Sequence, residues 1–529
     1  MEGRINLARA SLGIEFGSTR IKAVLIDEHH ETAAQGIYDW ENRLENGLWT
    51  YSEQQIWDGL RGAYAHLRED VKRRRGQELT EVGCIGISAM MHGYLPFDGE
   101  GKLLVPFRTW RNTVTREAAG LLSEALHCNF PQRWTIAHLY QAILNGEEHL
   151  SRLEFVTTLA GYVHWKLTDR KVLGMGDASG ILPIDKAACD YDAERLKVYD
   201  AMAAAHGFRR PLRPLLPDVL PAGAVAGRLT AQGALMLDPT GTLKPGVPFC
   251  PPEGDAETGM VATNSILPRT GNVSAGTSIF AMVVLERPLR EVHEEVGLVA
   301  TPAGDLVAMV HCSNCTSDLN AWEALLEEAI ALGGGSVDRG ELFTRLFRRS
   351  LEGEKDGGGI VPVNYFSGEG VTRLDAGVPL LARRPDSRFT LANLMRAHIY
   401  ASMATLAIGL RVLREENVAV DSLLGHGGLF KTPGVAQRYL AAAAQAPIAV
   451  METAGEGGAW GMALLASYCL AAQGGCTLSL ADYLTQEVFR DMRRTTVQPD
   501  PEDVAGFQAF LRDYEAILSA ERAAVAALR

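Results

Sequence analysis

Two kinds of hydrophobic pattern alternate along this chain. Short apolar runs bounded by small residues predict strands, and longer stretches with apolar residues at every third and fourth place predict helices. The run Leu12-Gly13-Ile14-Glu15-Phe16 breaks at Gly17-Ser18-Thr19 and resumes as Ile21-Lys22-Ala23-Val24-Leu25-Ile26, which predicts a hairpin. Half a chain later, residues 271–285 repeat that design around a Gly276-Thr277-Ser278 turn. Residues 82–89 are apolar and short enough for a strand covered on both faces, and they end in Met90-Met91-His92-Gly93. A preceding amphipathic helix runs through about Glu69. Residues 94–107 predict a hairpin about Asp98-Gly99-Glu100-Gly101 that delivers Arg108-Thr109-Trp110-Arg111-Asn112-Thr113.

Residues 114–170 predict mainly helix, interrupted afterwards by the small residues Gly176-Asp177-Ala178-Ser179-Gly180. Proline-rich connectors then lead to Glu253-Gly254-Asp255-Ala256-Glu257. This places a domain boundary near 260 and predicts domains at 1–260 and 261–529. In the second half, Gly333-Gly334-Gly335 and Gly357-Gly358-Gly359 are expected as surface loops, and residues 390–416 as a long helix with Leu394, Ile399, Met403, Leu406, Leu410 and Leu413 on its apolar face. A strand at 422–424 leads into Gly425-His426-Gly427-Gly428, followed by a helix at 434–444 and a strand at 447–451. The loop 452–458 opens a further, buried helix. The last 27 residues carry the spacing of a helix packed on a domain surface.

Composition narrows the function classes. A chain of 529 residues with 47% hydrophobic and 22% charged residues can bury more than one core. Its net charge of −13 repels nucleic acid, and the one basic run, Lys72-Arg73-Arg74-Arg75, is expected on a solvated helix face. The eight cysteines are scattered, and no apolar leader precedes Glu15, so reduced thiols and a cytoplasmic location are expected. Cys312-Ser313-Asn314-Cys315 has C-x-x-C spacing without the second pair a zinc site needs. No apolar run reaches the ~20 residues that cross a bilayer, so no membrane is expected.

The chemistry is expected at the turns. Backbone N–H groups and hydroxyls of a Gly-Ser-Thr turn can close on phosphate without a bulky side chain in the way. Two such turns, each framed by apolar strands, are a stronger signal than one. Neither a G-x-x-x-x-G-K-[ST] P-loop nor a correctly spaced G-x-G-x-x-G is present. If ATP is the ligand, an acceptor hydroxyl needs a carboxylate to take its proton. Asp255, Gly-flanked and just before the second turn, is the best-placed acid, with a helix-capping role as its alternative. His92, at a strand end before a glycine, is open between a structural and a ligand-facing role.

These residues together resemble the FGGY carbohydrate kinases. The paired turns, Gly254-Asp255, Met91-His92-Gly93 and Gly427-Gly428 fall in that family's order from about residue 11 to about 520. The resemblance implies an α/β fold of two ribonuclease-H-like domains of the actin/hexokinase-like ATPase type, closing an interdomain cleft on ATP, Mg²⁺ and a sugar. It implies that Gly17, Ser18 and Thr19, and Gly276, Thr277 and Ser278, meet the phosphates, and that Gly427, Gly428 and Gly458 border the adenosine. Asp255 becomes the general base and, with Glu15, a metal ligand. Met91, His92, Gly93, Trp110 and Asp255 become sugar contacts.

Wording near xylulokinases and ribulokinases implies a ketopentose such as xylulose or ribulose. A polyol or deoxysugar kinase, and a non-catalytic sugar or nucleotide sensor, are the alternatives. The family pattern leaves room for a homodimer. The sequence departs from it at Glu15, where most members carry Asp, at Ala256, where xylulokinases carry Asn, and at Asn112, where the family has Asp.

Overall fold

The computed structural model describes residues 3–451 and 457–528. The chain forms two compact units: Met1–Ile266 with Leu298–Val307 and Glu456–Asp491, and Leu267–Gly297 with Ala308–Gly455 and Met492–Arg529. A single cut near residue 260 therefore does not describe it. The physical reason lies in the nearly all-apolar helix Gly457–Gln473, which packs on the first unit's sheet.

The first unit is built on a seven-stranded sheet. Its strands are β1 (Ser11–Phe16), β2 (Arg20–Ile26), β3 (Thr32–Asp39), β4 (Cys84–Ala89), β5 (Gly227–Arg228), β6 (Pro248–Phe249) and β7 (Glu253–Gly254). They run in the order β5-β6-β4-β1-β2-β3, with β7 also pairing with β4. The meander β1-β2-β3 is antiparallel, while β4 lies parallel to β1 and to β6. β1 and β4 are apolar on both faces because helices cover both, which is why their sequences do not alternate.

Helix α1 (Glu53–Arg75) starts at a capping box in which Ser52 and Gln55 satisfy each other's backbone N–H groups. It ends at Gly76, whose φ of 64° closes the last turn. It continues past Glu69 because Asp70 pairs with both Arg73 and Arg74, and Lys72 pairs with Glu78. Cations in the last turn also suit the helix dipole. The basic run is thus taken up within the unit. Leu12, Ile14, Leu60, Ala63, Leu67, Ile85, Ile87 and Phe249 form one fully buried cluster.

Two more helices complete the site side of this unit: α2 (Asp255–Ala262) and, later in the chain, a 17-residue helix, Gly457–Gln473. The predicted helix start at 452–456 lies outside the described residues. Gly13 on β1 and Gly461 on the later helix let backbones approach so closely that a Cβ at Gly13 would lie 2.1 Å from the Ala459 carbonyl oxygen.

The second unit repeats the sheet logic. Six strands of its seven-stranded sheet are β8 (Thr270–Ala275), β9 (Ile279–Val284), β10 (Leu306–Cys312), β11 (Ser422–His426), β12 (Ile448–Met451) and β13 (Arg494–Val497), in the order β10-β9-β8-β11-β12-β13, with Gly297–Ala300 pairing at the edge on β10. β8 is antiparallel to β9 and parallel to β11, and β11 is parallel to β12.

The long helix Leu391–Glu415 is capped by Thr390 and buries Leu394, Ile399, Met403, Leu406, Leu410 and Leu413. The C-terminal helix Pro501–Leu528 buries Phe507, Phe510, Leu511, Tyr514 and Leu518, and its Asp503 pairs with Lys355 and Arg438. Gly357-Gly358-Gly359, expected at the surface, is buried instead. All three residues have positive φ, and the Asp356 carboxylate accepts from Gly358 N, so the segment forms a compact turn satisfied from within.

Candidate functional site

The first turn follows β1. The Trp40 indole N–H donates to the Gly17 carbonyl at 2.7 Å, the Tyr51 hydroxyl to the Ser18 carbonyl at 2.7 Å, and Trp40 N to the Thr19 carbonyl at 3.1 Å. Gly17 N donates to Arg20 O. With every carbonyl of the turn held by the stacked Trp40–Tyr51 pair and its neighbours, the Ser18 and Thr19 N–H groups and hydroxyls have no protein partner among the described residues. A turn whose carbonyls are taken while its N–H groups stay unpaired has the donors an anion would need.

The second unit makes the same arrangement with other residues. Thr316 donates to the Gly276 carbonyl through both its N–H and its hydroxyl, Cys315 N donates to the Thr277 carbonyl at 2.9 Å, and Gly276 N donates to Ser278 O. The Thr277 and Ser278 N–H groups are again without a partner among the described residues. This explains the Cys312-Ser313-Asn314-Cys315 segment. Its loop braces the turn and is in turn gripped by Glu369, which accepts from Ser313 N, Asn314 N and the Asn314 side chain. Both cysteines are buried free thiols.

Gly427, with φ 103°, has the Ala275 carbonyl oxygen 2.3 Å from where a Cβ would sit, so only glycine fits. A Cβ on Gly428 would meet nothing. These two glycines stand in the second unit, whereas Gly458, grouped with them from the sequence, packs in the first unit against Glu15 and Thr258.

Asp255 is the first residue of α2, after Gly254 at the end of β7. A carboxylate there is favoured by the helix dipole. Its Oδ1 accepts from Met91 N at 3.3 Å, which ties it to the turn after β4. Desolvation pushes its pKa up to about 6, against the hydrogen bonds from Met91 and Ala256.

Glu15, near the end of β1, reaches the N-terminus of the Gly457–Gln473 helix, where its Oε2 accepts from Ala459 N at 2.8 Å. Desolvation first, and then the Asp255 charge, raise it to about 7. The extra methylene relative to Asp is what lets this carboxylate touch the helix end. Both side chains remain partly open to solvent, so their desolvation marks them as lining a recess.

His92 and Gly93 both take left-handed backbone, at φ 67° and 85°. A β-carbon at Gly93 would press on Phe107 at 2.7 Å. The His92 ring stacks on Trp134 at 5.5 Å, and its Nδ1 lies 3.0 Å from the Gly180 carbonyl oxygen. Thus the Gly176–Gly180 segment positions His92. Met91 and His92 are buried.

The Tyr94–Arg108 bridge brings the Trp110 loop to the same turn. Asn112 accepts from Trp49 N and donates to Trp49 O, a two-way grip an Asp could not make. Arg111 lies over the Trp49 ring at 3.9 Å. The Trp110 indole N–H has no partner.

Sequence reasoning missed what stands behind Asp255. Glu253 accepts from Gly176 N and Asp177 N, Asp177 accepts from the Thr158 hydroxyl, and neither Glu257 oxygen has a partner. Burial pushes Asp177 to about 7 and Glu253 to about 8, and holds Glu257 well above the ordinary glutamate value. The acid at every second position, 253, 255 and 257, was the available signal. Gln132 and Arg133 were missed too, since nothing in their local pattern distinguishes them.

Two ribonuclease-H-like sheets, each carrying a Gly-Thr/Ser turn with free N–H groups, and an acid of raised pKa define a phosphate-handling fold of the actin/hexokinase-like ATPase type. Models of the FGGY family of carbohydrate kinases match residues 10–262 with the N-terminal domain and 271–470 with the C-terminal domain, and the chain belongs to that family. It is a carbohydrate kinase, and the family uses ATP.

A xylulose kinase of Haemophilus influenzae is 22% identical over 431 residues, covering 79% of this chain and 82% of that protein. The solved structure of a xylulose kinase from Rhodospirillum rubrum superposes with a TM-score of 0.74 at 19% identity, covering 97% of this chain and 98% of that one. A gluconate kinase from Lactobacillus acidophilus gives 0.78 at 15% identity, covering 98% and 99%. The shared fold thus serves different acceptors. Among the described residues no helix is long and apolar enough to cross a membrane.

Proposed function

We propose that this kinase transfers the terminal phosphoryl group of ATP to a hydroxyl of a small sugar, with a ketopentose such as xylulose or ribulose as the reference acceptor and Asp255 as general base. The observation that carries this is Asp255 itself. Its pKa of about 6 lets it take a proton near neutral pH, and its hydrogen bond to Met91 N fixes it to the turn that presents Met91, His92 and Gly93. Asp255 accepts the proton of the acceptor hydroxyl as the new O–P bond forms. Met91, His92 and Trp110 orient the sugar, and the free N–H groups of each Gly-Thr/Ser turn hold phosphate oxygens.

Glu15 and Asp255, two carboxylates close enough for the Asp255 charge to raise Glu15, suit Mg²⁺, which needs only one or two protein carboxylates beside phosphate oxygens. Mg²⁺ would neutralise charge on the phosphates when bound. Gly427 and Gly428 offer an open backbone edge for the adenosine. The xylulose kinase relative supports the ketopentose reading.

The test is sugar-dependent ADP release across ketoses, aldoses and polyols, with Asp255→Asn as the decisive variant. Asp255→Asn is expected to bind ATP within about 3-fold of the parent while kcat falls by ~10²–10⁴. Turnover within a few-fold of the parent would remove Asp255 from the role of base.

A further inference from the structure

Three polar groups on the loops that meet the Met91–Gly93 turn have no partner among the described residues. The Trp110 indole N–H and the Gln132 side-chain oxygen are shielded from water and lack partners. The Arg133 guanidinium makes no ion pair, hydrogen bond or ring contact with any described residue. Other arginines in this region are engaged: Arg108 with Glu147 and Arg111 with Asn42 and Trp49.

The loops bearing the three groups are pinned to one place. Gly93 N donates to the Arg133 carbonyl at 3.2 Å, the Thr115 hydroxyl donates to the Gln132 carbonyl at 2.5 Å, and the Tyr94–Arg108 bridge leads directly into Trp110. The next residue, Trp134, stacks on His92.

Leaving a guanidinium desolvated and unpaired is costly, because no hydrogen bond replaces its lost hydration. Arg133 is partly accessible to solvent, yet burial alone pulls its pKa down to about 10. A group that water can touch but that protein surrounds lines a recess, as Glu15 and Asp255 do. The loops against the turn thus offer one unpaired, partly exposed cation, together with an N–H donor and an acceptor whose atoms are shielded from water. An unpaired cation at this place matches an acceptor with an anionic end.

We propose that Arg133 is a specificity-determining residue that binds a carboxylate on the acceptor, so that this kinase prefers an aldonate or keto-aldonate to the neutral sugar of the same length. The proposal rests on the acceptor lying at the Met91–Gly93 turn, as in the function proposed above. Guanidinium and carboxylate form paired, charge-assisted hydrogen bonds. A phosphoryl group of the nucleotide is the other anion of this chemistry.

The experiment measures binding of D-xylonate and D-gluconate, and of their neutral amides, to the full chain by calorimetry without nucleotide, for the parent, Arg133→Gln and Arg133→Lys. The parent is expected to bind each acid ~10–100-fold more tightly than its amide, the range for hydrogen bonds to a charged group. Arg133→Gln should bring that ratio to about 1, and Arg133→Lys should keep part of it. Equal binding of acid and amide by the parent, which needs no variant, overturns the proposal. So does a ratio unchanged in Arg133→Gln, and so does a weakened ATP affinity with the ratio intact, which would assign Arg133 to the phosphoryl group.

ADP release is followed with the same acceptors. An acid preference that depends on Arg133 without ADP release from any acceptor would support the carboxylate site while refuting the transfer reaction.

Discussion

Gly13 offers a direct check on how the first unit holds the Glu15 carboxylate. An ideal Cβ at this position would lie 2.1 Å from the Ala459 carbonyl oxygen and 2.4 Å from Ala463 N. Both neighbours are backbone atoms of one helix, so no side chain can move aside. Relief in Gly13→Ala requires the Gly457–Gln473 helix to shift from β1 by about 1.2–1.5 Å, the difference between 2.1 Å and an ordinary C···O contact of ~3.3–3.6 Å. Overpacking of this kind costs ~1–3 kcal/mol. The same shift lengthens the 2.8 Å hydrogen bond from Ala459 N to Glu15, and a bond to a charged group is worth ~1.5–3 kcal/mol.

The expected total is about 3–6 kcal/mol. For a unit of this size that is of order 10 °C in the first thermal transition, with kcat falling as Glu15 is displaced. Gly120→Ala is the matched control, because a Cβ there meets nothing and the residue lies inside the helix Arg116–Leu126. It should be neutral or stabilise by up to ~1 kcal/mol. The assay is differential scanning calorimetry of both variants with kinetics on the same samples. A Gly13→Ala transition within 1–2 °C of the parent would show that the helix does not rest on β1 as described.

Thr277→Val should raise the Kd for ATP by ~10-fold or more in equilibrium binding, since a hydroxyl facing phosphate is lost; an unchanged Kd would count against the second turn as a phosphate site. Glu253 and Asp177 supply a pH dependence. Their folded pKa values, about 8 and about 7, lie above the ordinary 4.5 and 3.8, so the native state keeps protons that the unfolded chain releases. The stability they lend is complete below about pH 4 and drains as pH rises towards 8. Glu253→Gln, which still accepts from Gly176 N and Asp177 N, should flatten the fall of melting temperature between pH 5 and 8, and an undiminished slope would refute the protonated state.

The hydrophobic pattern by itself determined the two hairpins, the buried strand β4 and the long helices, because those elements are specified by local periodicity and by small residues that only a turn accommodates. It singled out Asp255, since a Gly-flanked acid before the second turn stands out in one dimension. Only the tertiary structure decided what each of these residues meets. Glu15 finds the N-terminus of a helix more than 440 residues away, a contact made possible by one added methylene and by glycines at 13, 458 and 461. Asn112, read as an Asp that had lost its charge, is a two-way clasp on Trp49.

Gly458 packs against Glu15 and Thr258, because its helix lies on the first sheet. Arg133 had no sequence signature at all. An arginine is conspicuous only by the absence of a partner, and partners are chosen by packing, through the carbonyl bond that fixes it to Gly93 and the stack of Trp134 on His92. Periodicity writes secondary structure into neighbouring residues. Desolvation and pairing depend on residues far apart in the chain, so they exist only once the fold has formed.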